Sequence, residues 1–226
     1  MGQDMRETAV LQRVKQGYTT GARTLASRSI VGLARTRITP NALTTAGVSL
    51  CLAASVLVFF EYRNTWLFYW TGAVVFVVGS ILDILDGALA RAGGKTTPFG
   101  AFIDSTTDRI GEGAMLGSIA LVFNRHDDPV PLALTFAAVA GSFLVSYTRA
   151  RAEALGLRGD VGIGSRAERV VVITGGLVLA PISIWLLVGA IALLAATAWL
   201  TVVQRILHVR KQLIQLGGRG NDRAER

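Results

Sequence analysis

Long uncharged apolar runs divide the chain into segments that are long enough to cross a lipid bilayer. A transmembrane helix needs about 20 mostly apolar residues. Charge-free windows of about that length cover 38–60, 64–82 and 129–148. The uncharged stretch between Arg169 and Arg205 is too long for one span, and Pro181 near its middle lies where one helix is expected to stop. This pattern predicts five apolar spans.

A sixth span is predicted over 99–124, although Asp104, Asp108, Arg109 and Glu112 lower its hydropathy. Lys and Arg residues near span ends favour the cytoplasmic side. With six spans, 20 of the 23 Lys and Arg residues fall on one side, Arg63 and Arg125 fall on the other, and Arg109 lies within the third span. Without the acidic span, the basic loop 149–169 would move to the opposite face. The charge pattern therefore supports six spans with both termini in the cytoplasm.

The spans define the domain organisation of an all-α integral membrane protein. Residues 38–208 form the predicted six-helix membrane domain, and 209–226 form a cytoplasmic basic tail. Before them, 1–37 mixes basic and apolar residues, which predicts an amphipathic helix lying in the membrane interface. A partly disordered basic tail is the alternative for 1–37, because the apolar spacing is only loosely helical.

Composition and charge agree with a multi-pass protein of the cell membrane. Hydrophobic residues make up 51% of the 226-residue chain and charged residues 17%. The net charge of +8 does not indicate nucleic-acid binding, because the basic residues flank apolar spans, and anionic lipid headgroups are the expected counter-charge. The single cysteine, Cys51, has no partner for a disulfide. We assign no role to His126 or His208.

Four aspartates mark the chemistry of the chain. Asp83 and Asp86 lie three residues apart at the end of the second span, and Asp104 and Asp108 lie four apart in the third. Each pair shares a helix face, and a short turn joins the two helices, so all four carboxylates are expected to converge near one membrane surface. Acidic residues are costly in a membrane, and their mutual repulsion calls for bound cations. All-oxygen ligands favour Mg²⁺ or Mn²⁺ over zinc.

The acids belong to a longer motif that resembles a known family. The motif reads Asp83-x-x-Asp86-Gly87-x-x-Ala90-Arg91, then eight residues, then Gly100-x-x-x-Asp104-x-x-x-Asp108. It is similar to the complete signature of the CDP-alcohol phosphotransferases. The resemblance implies transfer of a substituted phosphate from a CDP-linked donor to an alcohol with release of CMP, two bound metal ions, six spans and a homodimer.

The resemblance also implies a role for each residue of the motif. Asp83, Asp86 and Asp104 correspond to metal ligands, and Asp108 to a ligand that also acts as the general base. Residues matching those that contact the CDP moiety are Gly87, Arg91 and Thr97, together with Thr39, Pro40 and Asn41 at the start of the first span. For the Thr-Pro-Asn segment, simple helix capping is the alternative.

The acceptor alcohol is indicated by the basic loop after the fourth span. Segments within 146–169, together with Val203-Gln204-Arg205, resemble the phosphatidylinositol phosphate synthase branch. That resemblance implies CDP-diacylglycerol and inositol phosphate as substrates, with the acceptor phosphate held by Arg149, Arg166 and Arg205. Arginine suits phosphate because its planar fork donates two hydrogen bonds. The alternative, contact with lipid headgroups, is the one we favour for Arg158.

Two other functions compete with this interpretation. A phosphatidylglycerolphosphate synthase would carry the same metal motif and take glycerol 3-phosphate instead. A magnesium transporter would line a conduction path with its intramembrane acids. The acids cluster near one membrane face, and no matching acidic ring occurs in the spans near the other. This distribution favours an enzyme.

Overall fold

The computed structural model of the protein describes residues 39–94, 96–163 and 165–224, and this part of the chain contains helices and no strand. Six α helices follow one another, with a short 3-10 turn at Glu61–Arg63 between the first two. The helices are α1 (Pro40–Phe59), α2 (Thr65–Ala92), α3 (Pro98–Arg125), α4 (Pro129–Ala154), α5 (Arg166–Leu179) and α6 (Ile184–Ala224). The all-α prediction is confirmed. The predicted amphipathic segment 1–37 lies outside the described residues.

Local sequence signals set where the helices begin. A side-chain oxygen of the residue before each of α1 to α5 accepts a hydrogen bond from the first helical turn, as expected of an N-cap. These residues are Thr39, Asn64, Thr97, Asp128 and Ser165. Ser165 also forms a reciprocal capping box with Glu168. The caps at Thr39, Thr97 and Ser165 fix the starts of α1, α3 and α5, which lie beside the candidate site.

Four of the six helices have the length and apolar composition of membrane spans. They are α1, α2 over Thr65–Arg91, α4 and α6 over Ile184–Leu216. The helix α3 carries the aspartates, and α5 has only 14 residues. The break predicted near Pro181 is present, since α5 ends at Leu179 and α6 begins at Ile184. The segment 209–226, predicted as a basic tail, continues α6 as far as Ala224.

The helix α1 packs between α2 and α3, and small residues permit the close contact. A Cβ atom added to Gly79 would lie 2.8 Å from the carbonyl oxygen of Gly47 and 2.9 Å from Cys51 Sγ. A Cβ on Gly111 of α3 would lie 3.0 Å from Cβ of the same cysteine. Helices in membranes approach most closely through such residues. As a result, α2 and α3 both pack mainly against α1, although they follow each other in the chain.

One apolar core ties the remaining helices to this trio. Its largest fully buried side chains come from α2, α3, α5 and α6, and they include Tyr69, Phe76, Met115, Phe123, Ile173, Leu177, Leu187 and Ile191. A smaller cluster of Val145, Ala198 and Val202 joins α4 to α6. The core therefore leaves the polar ends of α2, α3 and α5 beside one another.

Candidate active site

Three of the four predicted aspartates come together between α2 and α3. One carboxylate oxygen each of Asp83, Asp104 and Asp108 lies within 4.8 Å of the others. Asp83 is 5% exposed, whereas Asp104 and Asp108 are half-buried. The convergence predicted from two separate helices is thus present for these three, and Asp86 lies outside this group of three.

Asp86 is held by a residue outside the sequence motif, Thr44. The hydroxyl of Thr44, on α1, donates a hydrogen bond to Asp86 Oδ2, and both side chains are buried. The other oxygen, Asp86 Oδ1, is buried without a hydrogen-bond partner in the part of the chain that the structure describes. The only sequence feature that could have indicated this role of Thr44 is its position, one helical turn after Thr39-Pro40-Asn41. The contact shows that α1 contributes to the acidic cluster.

The donor atoms suit a small divalent cation. All are carboxylate oxygens, and three of them already lie at a mutual separation that one or two ions can bridge. The unpartnered oxygen of Asp86 is a further available ligand, because a buried carboxylate oxygen normally has a hydrogen-bonding or ionic partner. Hard oxygen ligands of this kind favour Mg²⁺ or Mn²⁺. The residues present therefore fit the metal chemistry expected from the motif.

A cavity of about 360 Å³ adjoins the acids and opens between the starts of α1 and α3 and the end of α2. All six residues predicted to contact a CDP moiety line it, namely Thr39, Pro40, Asn41, Gly87, Arg91 and Thr97. Asp86 and Asp104 line it too, so the cavity reaches the acidic cluster. A Cβ on Gly87 would lie 3.3 Å from Arg91 NH1, so Gly87 leaves that guanidinium room beside the backbone.

Arg166, predicted to hold the acceptor phosphate, lies directly at the acids. Its guanidinium contacts Asp83 on α2 and Asp108 on α3. As the first residue of α5, it is placed by the capping box that Ser165 and Glu168 form. One cation therefore joins three helices at the candidate site.

The other two predicted acceptor arginines are engaged elsewhere. Arg205, only 7% exposed, donates from Nε to the carbonyl oxygen of Val161 at 2.9 Å and from NH1 to that of Val145. It braces the loop after α4 against α6. Arg149 pairs with Glu153 on its own helix at 2.9 Å and is exposed. The structure therefore places only Arg166 among the carboxylates.

A second buried ion pair was not foreseen from the sequence. Glu112 on α3 and Arg169 on α5 interact through two contacts of 2.8 and 2.9 Å. The sequence showed Glu112 only as a charge inside the third predicted span and Arg169 only as a charge at the edge of a later one. Nothing in their spacing along the chain, 57 residues, indicates that they meet.

Residues 37–209 match the family model described as CDP-alcohol phosphatidyltransferase. The chain belongs to this family. The family membership predicted from the four-aspartate motif is confirmed, and the protein is a metal-dependent CDP-alcohol phosphatidyltransferase.

Two curated relatives of this phosphatidyltransferase are similar over most of their length. The archaetidylinositol phosphate synthase of Pyrococcus horikoshii is 38% identical over 182 residues, which cover 80% of this chain and 88% of that protein. The phosphatidylinositol phosphate synthase of Mycolicibacterium smegmatis is 37% identical over 182 residues, covering 78% and 79% respectively. Both names specify a lipid product that carries an inositol phosphate headgroup.

Solved structures of the Mycobacterium tuberculosis phosphatidylinositol phosphate synthase have the same fold. The form with CDP-DAG bound gives a TM-score of 0.72 at 32% identity, covering 82% of this chain and 94% of that one. The form in complex with manganese and citrate gives 0.71 at 32% identity, covering 81% and 88%. These structures show that a neighbour of this fold takes the CDP-linked lipid and a divalent metal.

Proposed function

We propose that this phosphatidyltransferase moves a phosphatidyl group from CDP-diacylglycerol to inositol phosphate, forming phosphatidylinositol phosphate and releasing CMP. The observation that carries the proposal is one continuous site. A cavity lined by the six residues expected to bind CDP reaches the acidic cluster, and an arginine lies on the far side of that cluster. The site thus has a donor side, a metal-binding centre and a cationic acceptor side.

The donor is held by the cavity. Its cytidine end lies by the starts of α1 and α3, near Thr39, Asn41 and Thr97, and the diphosphate lies along Gly87 towards the acids. Arg91, which lines the same cavity, offers positive charge to the diphosphate. This orientation leaves the phosphate that bears the lipid next to Asp104.

Asp83, Asp86, Asp104 and Asp108 would hold two Mg²⁺ ions, for which Mn²⁺ can substitute. When bound, the metal supplies charge neutralisation for the diphosphate and for the CMP leaving group. In the transfer, a hydroxyl oxygen of the acceptor attacks the phosphorus that carries the lipid, and the bond from that phosphorus to the CMP oxygen breaks. Asp108 takes the proton of the attacking hydroxyl.

The acceptor phosphate is bound by Arg166, with Arg149 and Arg205 at the same end of the bundle. Arg166 is best supported, because its guanidinium already lies beside Asp108. A phosphate held there leaves the neutral hydroxyls of the same molecule within reach of the general base. Arg205 donates to one carbonyl oxygen of α4 and to one of the loop after α4, so its contribution is partly indirect.

We also propose that all six helices cross the cell membrane, with both termini and the site on the cytoplasmic side and with 1–37 as an interfacial amphipathic helix. The 28-residue α3 is about 42 Å long and exceeds the hydrocarbon thickness. The 14-residue α5 is about 21 Å long, which is less than the hydrocarbon thickness. Its Arg166 end therefore lies inside the membrane rather than at its surface. The acids on α3 begin a similar distance inside its start. A homodimer is part of the same proposal.

The test is release of CMP by the purified protein from CDP-diacylglycerol and Mg²⁺, with inositol phosphate or glycerol 3-phosphate as the acceptor. We expect CMP only when metal and inositol phosphate are both present, and loss of release after chelation. Faster release with glycerol 3-phosphate would assign the protein as a phosphatidylglycerolphosphate synthase. Magnesium flux without CMP release would favour a transporter. An archaetidyl donor in parallel would show which lipid group is preferred.

A further inference from the structure

A buried ion pair joins α3 to α5 one helical turn away from the candidate site. Arg169 Nε lies 2.8 Å from Glu112 Oε1, and Arg169 NH2 lies 2.9 Å from Glu112 Oε2. Each side chain is only 6% exposed. Because two parallel hydrogen bonds fix the direction of the contact as well as its length, the pair restricts how α3 and α5 can slide past each other.

The pair repeats the contact at the site one turn along. On α3, Glu112 follows Asp108 by four residues, and on α5, Arg169 follows Arg166 by three. Residues at these spacings share a helix face. Two arginines on α5 thus meet two carboxylates on α3, one pair at the acids and one buried. A slide of one turn would break both pairs at once.

Side chains rather than backbone packing link these two helices. Among the closely packed helix pairs of the described residues, α5 packs with α2 and α6, and it reaches α3 through long arginine side chains. Core side chains such as Ile173 and Leu177 fix the far part of α5 but leave its first turn to the arginines. The position of Arg166 relative to Asp108 therefore depends on the contact one turn below.

Stability alone does not explain this ion pair, because the desolvation of two buried charges offsets most of their attraction. Neither residue lines the cavity or belongs to the three-carboxylate group. We propose that Glu112 and Arg169 are positioning residues that hold Arg166 level with Asp108 and so set the affinity for the acceptor phosphate. This inference rests on the acceptor role of Arg166 proposed above.

The first test is steady-state kinetics of Glu112→Gln with each substrate varied in turn. Loss of a charge-assisted contact predicts a rise of about tenfold in the acceptor KM. The KM for CDP-diacylglycerol should change much less, since its cavity does not include this pair. The matched control is Glu61→Gln, which removes a buried carboxylate 3.6 Å from Arg125 at the other end of α3. An equal rise in acceptor KM in the control would overturn the proposal.

The second test measures the same substitution in an Arg166→Ala background. If Glu112 acts through Arg166, then Glu112→Gln should cause little further rise in the acceptor KM once Arg166 is gone. A fold-change that is the same in both backgrounds would mean that the two residues act independently. That result would also overturn the proposal.

The third test separates positioning from folding. The double substitution Glu112→Leu with Arg169→Met removes both buried charges at similar volume, and such replacements commonly preserve stability. We expect an unchanged melting temperature with a raised acceptor KM. A folded double variant with a normal KM would refute the positioning role, including where Glu112→Gln fails to fold.

These outcomes differ from failure of the proposed function. If the unmutated protein uses glycerol 3-phosphate instead of inositol phosphate, the inositol assignment fails. The positioning role is then measured with glycerol 3-phosphate, whose phosphate would take the same arginine.

Discussion

Arg166 and Asp108 are in direct contact, although they lie 58 residues apart and on helices that do not follow each other in the chain. The same guanidinium also contacts Asp83. One side chain thus connects the group proposed as general base with a proposed metal ligand. In the proposed function, this contact brings the group that binds the acceptor phosphate next to the group that takes its proton.

Asp108→Asn should abolish turnover and leave binding of CDP-diacylglycerol measurable. The amide fills the same space and retains one oxygen, but it cannot accept the proton of the attacking hydroxyl. General-base catalysis typically contributes about 10²–10⁴-fold, so the loss of CMP release should be of that order. The measurement is single-turnover CMP release at saturating metal, beside a donor-binding assay. Asp128→Asn, at the N-cap of α4, is the control, and near-normal turnover of Asp108→Asn would disprove the general-base role.

Thr44→Val should weaken metal binding. The substitution keeps the shape of the side chain and removes the hydroxyl that donates to Asp86. A hydrogen bond to a charged group contributes about 1.5–3 kcal/mol, so the Mg²⁺ concentration for half-maximal activity should rise about tenfold or more. Thr45→Val is the matched control, because its hydroxyl donates to the carbonyl oxygen of Asn41 on its own helix. Equal metal dependence in the two variants would exclude a role for Thr44.

Arg166→Ala should raise the acceptor KM by about ten- to a hundredfold and change the KM for CDP-diacylglycerol much less. Arg149→Ala should act in the same direction. The control is Arg158→Ala, since that side chain is assigned to lipid headgroups. Substitution of a lipid-facing arginine would change the KM values for both substrates equally, or change neither. That result for Arg166→Ala would show that Arg166 does not belong to the acceptor site.

Arg205→Ala should lower the melting temperature as well as raise the acceptor KM. Its guanidinium donates to the carbonyl oxygens of Val145 and Val161, and a hydrogen bond from a charged group contributes about 1.5–3 kcal/mol. Thermal unfolding of the detergent-solubilised protein, compared with Arg166→Ala, measures the difference. A normal melting temperature with a raised KM would mean that Arg205 acts on the acceptor alone.

Gly79→Ala should destabilise the bundle by about 1–3 kcal/mol, because its new methyl group would lie 2.8 Å from the carbonyl oxygen of Gly47. Gly117→Ala is the control on α3, where an added Cβ meets no atom within 4 Å. Thermal unfolding of both variants gives the comparison. Equal melting temperatures would show that α1 and α2 can move apart at this point.

Cysteine labelling can measure the membrane orientation once Cys51 has been replaced by Ala. In the six-span arrangement, cysteines at Arg63 and Arg125 should react only with reagents outside the cell. A cysteine at Arg158 should react only from the cytoplasmic side. Labelling of position 158 from outside would remove α3 from the membrane and contradict the six-span proposal.

Local features of the sequence determined the helices and the identity of the acids. Thr39-Pro40 and Thr97-Pro98 fixed where α1 and α3 begin, and Pro181 marked the break before α6. The spacings of Asp83 to Asp86 and of Asp104 to Asp108 put each pair on one helix face. These features could be predicted because caps, proline effects and helical periodicity act within a few residues of the chain.

Only the tertiary structure decided which helix faces meet. Nothing in the local sequence indicates that α1 lies between α2 and α3, that Thr44 supports Asp86, or that Glu112 meets Arg169. The family resemblance also grouped Arg205 with Arg166, whereas the structure holds Arg205 on backbone oxygens of α4 and its loop. In a membrane, lipid-facing and buried helix faces are similarly apolar, so hydrophobic patterning does not distinguish them. The neighbours of a helix then depend on close packing at positions such as Gly47 and Gly79, which becomes visible only when the helices are assembled.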